Sequence, residues 1–257
     1  MNPYVRLYFH CPECAAILTG KHLESPAIQC TELYSDGKMM CDELLSEPQM
    51  IVVCPSCGHI FWVIDPASPE KTLIPSFKEL PTKQQKVAVY PYSSWYLFGS
   101  NTYRTFGKLA LIHQYSHLLT SFRPLSAEKE LYLRKGLLWA HNDLVRKTGS
   151  YKFMDFLKGD VSYSTWRHDR KHRLVYKYQF LKHLPAYKAN IKRMIEILRS
   201  SPDREVEKVY LAELYRLKGD FTKSLELITE LNRSTHFVNI IRNKALKKIS
   251  AVFKVAG

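Results

Sequence analysis

Short runs of β-branched and aromatic residues mark the start of the chain, and longer runs with helical periodicity mark the rest. Residues 5–9, 50–53 and 60–64 read as strands. "CTELYSDGKMMC" sets Asp36-Gly37 between two short apolar-containing runs and predicts a β-hairpin. From Asp65 to Ser100 the chain carries Pro66, Pro69, Pro75, Pro81 and Pro91, a density that forbids a continuous helix and predicts an irregular connector. Aromatic residues crowd its end, in "VYPYSSWYLFGSNTYRTF", and read as a latch between the two halves.

Beyond the connector the period becomes helical. "YRTFGKLALIHQYSHLL" has apolar residues at helical spacing, and "SAEKELYLRKGLLWAHNDLVRKTG" opens on Ser126 as N-cap and ends on basic residues before Gly149. Further helices are expected over 168–183 and 186–199, with Pro185 between them, and over 204–217, 221–231 and 236–250. In "VYLAELYRLKGDFTKSLELI", Leu211, Ala212, Tyr215, Gly219, Asp220, Phe221, Ser224 and Leu225 stand at the spacing of a tetratricopeptide helix pair. Small Ala212 and Ser224 would let the helices approach closely. With one clear unit and a degenerate neighbour, a closed helical domain is expected rather than a solenoid.

Cysteine spacing adds chemistry. Cys11 and Cys14 in "CPEC", and Cys54 and Cys57 in "CPSCGH", each leave two residues between sulfurs. One tight turn then aims two thiolates at a single cation, and two such turns supply the closed tetrahedral set of a structural zinc site. Iron fits the same four thiolates. The separation of the pairs is longer than usual and accommodates the Asp36-Gly37 hairpin. Cys30 and Cys41 flank that hairpin and read first as small buried residues, with a partial second metal or redox site as the sharper alternative. His10, His22 and His59 have no partner at convincing spacing.

The expected architecture is therefore α+β: a small N-terminal β zinc ribbon with an inserted hairpin over 1–65, a connector over 66–100, and an all-α domain over 101–257 containing a tetratricopeptide-like hairpin at 204–231. The cysteine pattern resembles zinc ribbons and rubredoxin-like knuckles. With "LYSDGK", "LLWAHNDLVR" and "AELYRLKGDF" it also resembles bacterial proteins of undefined function that join "CPxCG" knuckles to a repeat-like "ELYRxxGD" segment. That resemblance implies a bacterial cytoplasmic protein and transfers no catalytic residue.

Composition is that of a folded globular chain, with 257 residues, 46% hydrophobic and 24% charged. No apolar stretch reaches the roughly 18 residues that span a bilayer, and the first residues lack a signal-peptide pattern. A cytoplasmic location is expected, where paired cysteines serve metals rather than disulfides.

Charge is uneven within the net +14. Up to residue 80 only Arg6, Lys21, Lys38, Lys71 and Lys78 oppose twice as many acids, so the basic excess belongs to the remainder. Between 161 and 199, Arg167, Arg170, Lys171, Arg173, Lys177, Lys182, Lys188, Lys192, Arg193 and Arg199 face only Asp169 and Glu196, with Tyr176, Tyr178, Phe180 and Tyr187 interleaved. Such a segment suits phosphates beside stacking rings, or else is a solvated surface whose aromatics turn inward.

Enzyme signals are weak. His113 and His117, and His168 and His172, are i,i+4 pairs without a third ligand, and Gln114 stands where a zinc protease has its glutamate. His141, Asn142 and Asp143 are consecutive on a helix and diverge. The leading expectation is a non-enzymatic zinc-binding adaptor that takes a protein partner in a helical groove around Tyr210, Leu214 and Tyr215. The alternative is a nucleic-acid binder using Arg167, Arg170, Lys171, Arg173, Lys177 and Lys182. Neither a membrane nor a small-molecule substrate is expected.

Overall fold

A computed structural model describes residues 4–23, 30–41, 51–54, 56–62, 76–77, 89–91, 108–121, 125–146, 153–200, 205–231 and 235–256. The "CPEC" turn joins β1 (Tyr4–His10) to β2 (Ile17–Leu23) in an antiparallel hairpin, with Tyr4 opposite Leu23 and His10 opposite Ile17. The Asp-Gly turn joins β3 (Cys30–Tyr34) to β4 (Met39–Cys41), and Cys30 and Cys41 are opposite one another. Their side chains lie outside the described residues. The "CPSC" turn joins β5 (Ile51–Val53) to β6 (Ile60–Trp62). Two short connector strands return to the first hairpin: β7 (Ser76–Phe77) lies antiparallel to β1, and β8 (Val89–Pro91) parallel to β2. The aromatic run at 92–107 lies outside the described residues.

Most of the described chain after residue 107 is helical. Eight helices are described: α1 (Lys108–Ser121), α2 (Ala127–Asp143), α3 (Phe153–Leu157), α4 (Tyr163–Lys182), α5 (Leu184–Arg199), α6 (Glu205–Lys218), α7 (Phe221–Thr229) and α8 (His236–Leu246). Strand β9 (Lys254–Ala256) then pairs antiparallel with β3. Ser126 caps α2 as its sequence predicts, accepting from the Lys129 N–H. Three boundaries differ from expectation. Helix α4 starts earlier than residue 168, because Ser162 accepts from the Thr165 N–H and caps it. Pro185 does not separate helices but sits in the first turn of α5, where its missing N–H leaves no intrahelical bond unmade. Helix α2 stops at Asp143, and the residues after it turn toward Asp36.

The second knuckle sits on the helices. Ile51 and Trp62 are buried in one cluster with Ile112, Leu118 and Leu119 of α1 and Leu133, Leu137 and Ala140 of α2. Trp62 meets Tyr132 edge-on, with ring centroids 5.7 Å apart. A second cluster joins Leu138 of α2 to Tyr187, Ile191, Met194 and Leu198 of α5 and Leu214, Tyr215 and Leu217 of α6. A third joins Ala212 of α6, Ile228 of α7 and Val238 and Ile241 of α8. Helices α6 and α7 form a hairpin in which the small Ala212 and Ser224 are fully buried.

The β3–β4 tip plugs into the helices. Gly37, at φ +77, supplies the left-handed residue that a three-residue hairpin loop requires. This turn places Ser35 and Asp36 in the interior. Asp36 accepts from Asn142 Nδ2 at 2.7 Å and from Arg146 Nη2 at 2.6 Å, and its carbonyl accepts from Trp139 Nε1 at 3.0 Å. Lys38 pairs with Asp143, and Arg146 lies over the Tyr34 ring at 4.1 Å. On the same side, Arg216 is bidentate with Glu213 at 2.6 and 2.7 Å, donates to the Ile249 and Ala251 carbonyls, and reaches Ser35. The phrases "LYSDGK", "LLWAHNDLVR" and "AELYRLKGDF" thus meet around one buried polar seam.

Candidate metal centre and cationic helix

Both cysteine knuckles are built alike. In the first, the Cys11 N–H donates to the Ala16 carbonyl and the Ala15 N–H to the Cys11 carbonyl, each at 2.9 Å. In the second, the Cys54 N–H donates to the His59 carbonyl and the Gly58 N–H to the Cys54 carbonyl, each at 2.8 Å. The residue after the second cysteine is left-handed in both, Ala15 at φ +55 and Gly58 at φ +74. In both, the first cysteine is buried and the second exposed.

The knuckles face each other. Cys11 Sγ lies 3.7 Å from Cys57 Sγ, Cys14 Sγ lies 3.6 Å from Cys54 Sγ, and all four sulfurs lie within 4.8 Å of one another. Four sulfurs held at about 2.3 Å around one tetrahedral ion are about 3.8 Å apart. The donor set and its dimensions therefore fit a single metal ion, and four thiolates leave no coordination position open.

Proton affinity differs among the thiols. The Cys14 thiol is lowered to about 7, chiefly by a backbone hydrogen bond from Ala16. At Cys57 the His59 backbone lowers the pKa, but burial and the hydrogen-bonded sulfurs of Cys14, Cys54 and Cys11 outweigh it and hold the thiol at about 12. Burial pushes Cys11 up. Four thiols this close compete for charge until a cation neutralises them.

The basic segment falls largely on α4, which has no buried residue among those described. Arg167, Arg170, Lys171, Arg173, Lys177 and Lys182 are all exposed. Arg173 pairs with Asp169 at 3.0 Å and Arg170 lies 5.4 Å over the Trp166 ring. Among the described residues Arg167, Lys171, Lys177 and Lys182 make no ion pair. The aromatics divide: Tyr176 and Phe180 pack toward the cores and Tyr187 is buried, whereas Tyr163 and Tyr178 are 53% and 66% exposed. At helical spacing Tyr163, Arg167, Arg170, Lys171, Leu174, Lys177, Tyr178 and Leu181 share the outward face.

The groove residues sit elsewhere. Leu214 and Tyr215 are buried between α5 and α6, so they are core side chains rather than a lining open to a partner, and Tyr210 is half-buried against the same cluster. A leucine and a tyrosine at helical spacing read equally as groove or core, and here the helices close over them.

The histidine pairs are also redistributed. His168 and His172 bond each other, Nε2 to Nε2, at 3.0 Å, and His117 contacts Ser121. His113 is instead beside His183, with ring centroids 6.0 Å apart. Asn142 and Asp143 both reach the Asp36–Arg146 network, a convergence that their consecutive positions do not suggest. His141 turns away from them: its Nδ1 bonds the Leu137 carbonyl at 2.8 Å, its Nε2 has no partner, and burial lowers its pKa to about 4.

Sequence reasoning passed over an aromatic corner. Phe153, Phe156, Tyr163 and Trp166 pack on one another where α3 meets α4. The available signal was "FMDFLKGDVSYSTW", two ring-bearing runs on either side of a Gly159 turn.

Among the described residues no helix is long and apolar enough to cross a membrane. No family model, curated protein or solved structure matches this chain.

Proposed function

We propose that this chain is a zinc-stabilised, non-enzymatic nucleic-acid-binding protein, with Cys11, Cys14, Cys54 and Cys57 holding one structural ion and α4 presenting the binding face. One observation carries the choice of nucleic acid over the adaptor reading. The outward face of α4 offers exposed cations interleaved with exposed rings, while Leu214 and Tyr215 of the adaptor groove are buried. Cations without carboxylate partners are free to displace counterions from phosphates, and neighbouring rings accept bases. Zinc is the metal favoured for a closed four-thiolate site, with iron the alternative the same ligands accept. A saturated site supplies no water or substrate position, which supports a structural role.

The test is binding of the metal-loaded chain to short labelled oligonucleotides as a function of salt. The expected result is an affinity that falls linearly in log salt, with a slope reduced in the Arg170→Glu, Lys171→Glu, Lys177→Glu triple variant. Absence of binding at low salt would reject the reading and make α4 a solvated face. Elemental analysis decides the metal, with about one zinc per chain expected.

A further inference from the structure

An exposed aromatic cluster on a folded chain needs an explanation, and the corner between α3 and α4 has one. Phe156 and Trp166 are stacked, with centroids 5.9 Å apart and planes inclined by 23°, and Tyr163 lies 6.0 Å from Trp166 at 33°. Phe153 adds a fourth ring, 5.4 Å from Trp166. None of these rings belongs to the three core clusters. Phe153 is 52% exposed, and Met154 and Leu157 beside it are similarly open. A patch of this kind on the outside of a folded protein marks a contact surface.

Its surroundings select the partner. Tyr163 and Ser164 line a shallow open depression together with Arg167, His168 and Lys171, and no carboxylate lines it. The nearest acids in sequence are Asp155, Asp160 and Asp169, and Asp169 is engaged by Arg173. Arg167 and Lys171 are one helical turn apart, on the same face as Tyr163. A ring that continues a stack, beside two cations, is complementary to a base attached to its own phosphates. A duplex keeps its base faces stacked internally and offers none to such a ring, whereas a single strand exposes them.

We propose that the α3–α4 corner is a single-strand recognition site, in which Tyr163 and Phe153 take bases by stacking and Arg167 and Lys171 take the adjoining phosphates. This rests on the nucleic-acid reading above and narrows it to unpaired strands. Stacking is tolerant of base identity, so little sequence preference is expected beyond that of the stack itself.

The experiment compares three probes on the full metal-loaded chain at one salt concentration: oligo-dT, an abasic strand of the same length with the same phosphates, and a duplex. Oligo-dT should bind about five-fold or more tighter than the abasic strand. Tyr163→Ala should shrink that difference and Tyr163→Phe, which keeps the ring, should retain it. The oligo-dT and abasic comparison on the unaltered chain needs no variant, so a misfolded Tyr163→Ala would not hide the answer. Equal binding of all three probes would overturn the stacking site while leaving the broader reading intact. No binding to any oligonucleotide, with co-sedimentation on anionic phospholipid vesicles, would overturn both and make the patch a lipid-seeking surface.

Discussion

Asp36, at the tip of the β3–β4 hairpin, and Arg146, just beyond the end of α2, form an ion pair of 2.6 Å in which neither side chain exceeds 1% exposure. The pair fastens a hairpin inserted between the two knuckles to the helix that carries one side of the core. Its buried charges are held by further bonds from Asn142 and, on the arginine side, to Asp143 at 2.9 Å.

Removing one member of such a pair leaves an uncompensated charge inside the protein. Asp36→Asn should destabilise the chain by about 3–5 kcal/mol, and the Asp36→Asn, Arg146→Met double variant should be less destabilised than the sum of the singles. Urea unfolding midpoints measure both. A loss below about 0.5 kcal/mol for Asp36→Asn would show that the hairpin is not fastened through this pair.

Metal binding should release protons. At pH 7.5 the metal-free knuckles keep Cys11 and Cys57 protonated, because burial raises the first and burial with the crowding of neighbouring thiols raises the second, whereas Cys14, at about 7, is largely ionised. A cation bound by four thiolates must displace the remaining protons, so apparent affinity rises with pH. Adding zinc to metal-free chain in weak buffer should release about two protons or more per ion. Release of less than one would mean that the four sulfurs do not all serve as ligands.

How much of this is legible in the sequence depends on the range of the interaction. The knuckles are local, each set by two cysteines and a left-handed residue within a single turn, and Cys11, Cys14, Cys54 and Cys57 come together as their spacing implies. Helix periods are also local, and α2 begins at Ser126 as read. The Asp36 seam is not, since Asp36, Arg146 and Arg216 lie far apart in the chain and nothing in their neighbourhoods announces burial. Charged residues are ordinarily exposed, so a buried set of them carries no signal in the sequence. Leu214 and Tyr215, expected to line a groove, are buried. An apolar helical stripe fits a groove or a core, and only the positions of α5 and α6 decide.

Stability should fall as pH drops below the ordinary histidine range, and His141 is one cause. Its folded pKa, lowered to about 4 by burial, lies below the unfolded value near 6.5. The unfolded chain therefore binds a proton between those values that the folded chain does not, and the stabilisation present above about 6.5 is lost as pH approaches 4. The full effect is on the order of 3 kcal/mol. His141→Gln can still donate to the Leu137 carbonyl but cannot titrate. Unfolding midpoints at pH 7.5 and pH 4.5 should then converge less in the wild type than in the variant, and identical pH dependence of the two would remove His141 from the account.

The two knuckles differ at one position in a way that isolates backbone strain. Gly58 is left-handed, and a Cβ built there meets nothing within 4 Å, so Gly58→Ala changes conformational energy without a steric clash. The matching residue of the first knuckle is Ala15, exposed and already held at φ +55. A left-handed non-glycine residue costs about 1–2 kcal/mol, offset in part by the greater freedom that glycine has in the unfolded chain. Ala15→Gly should therefore tighten metal binding by up to about five-fold, and Gly58→Ala should weaken it by a similar factor, because the left-handed turn is what aims each cysteine pair. Competition against a zinc chelator of known affinity reads both changes. If Ala15→Gly leaves affinity unchanged while Gly58→Ala lowers it, the first knuckle tolerates its left-handed alanine without strain, and the energetic likeness of the two turns fails although their geometry agrees.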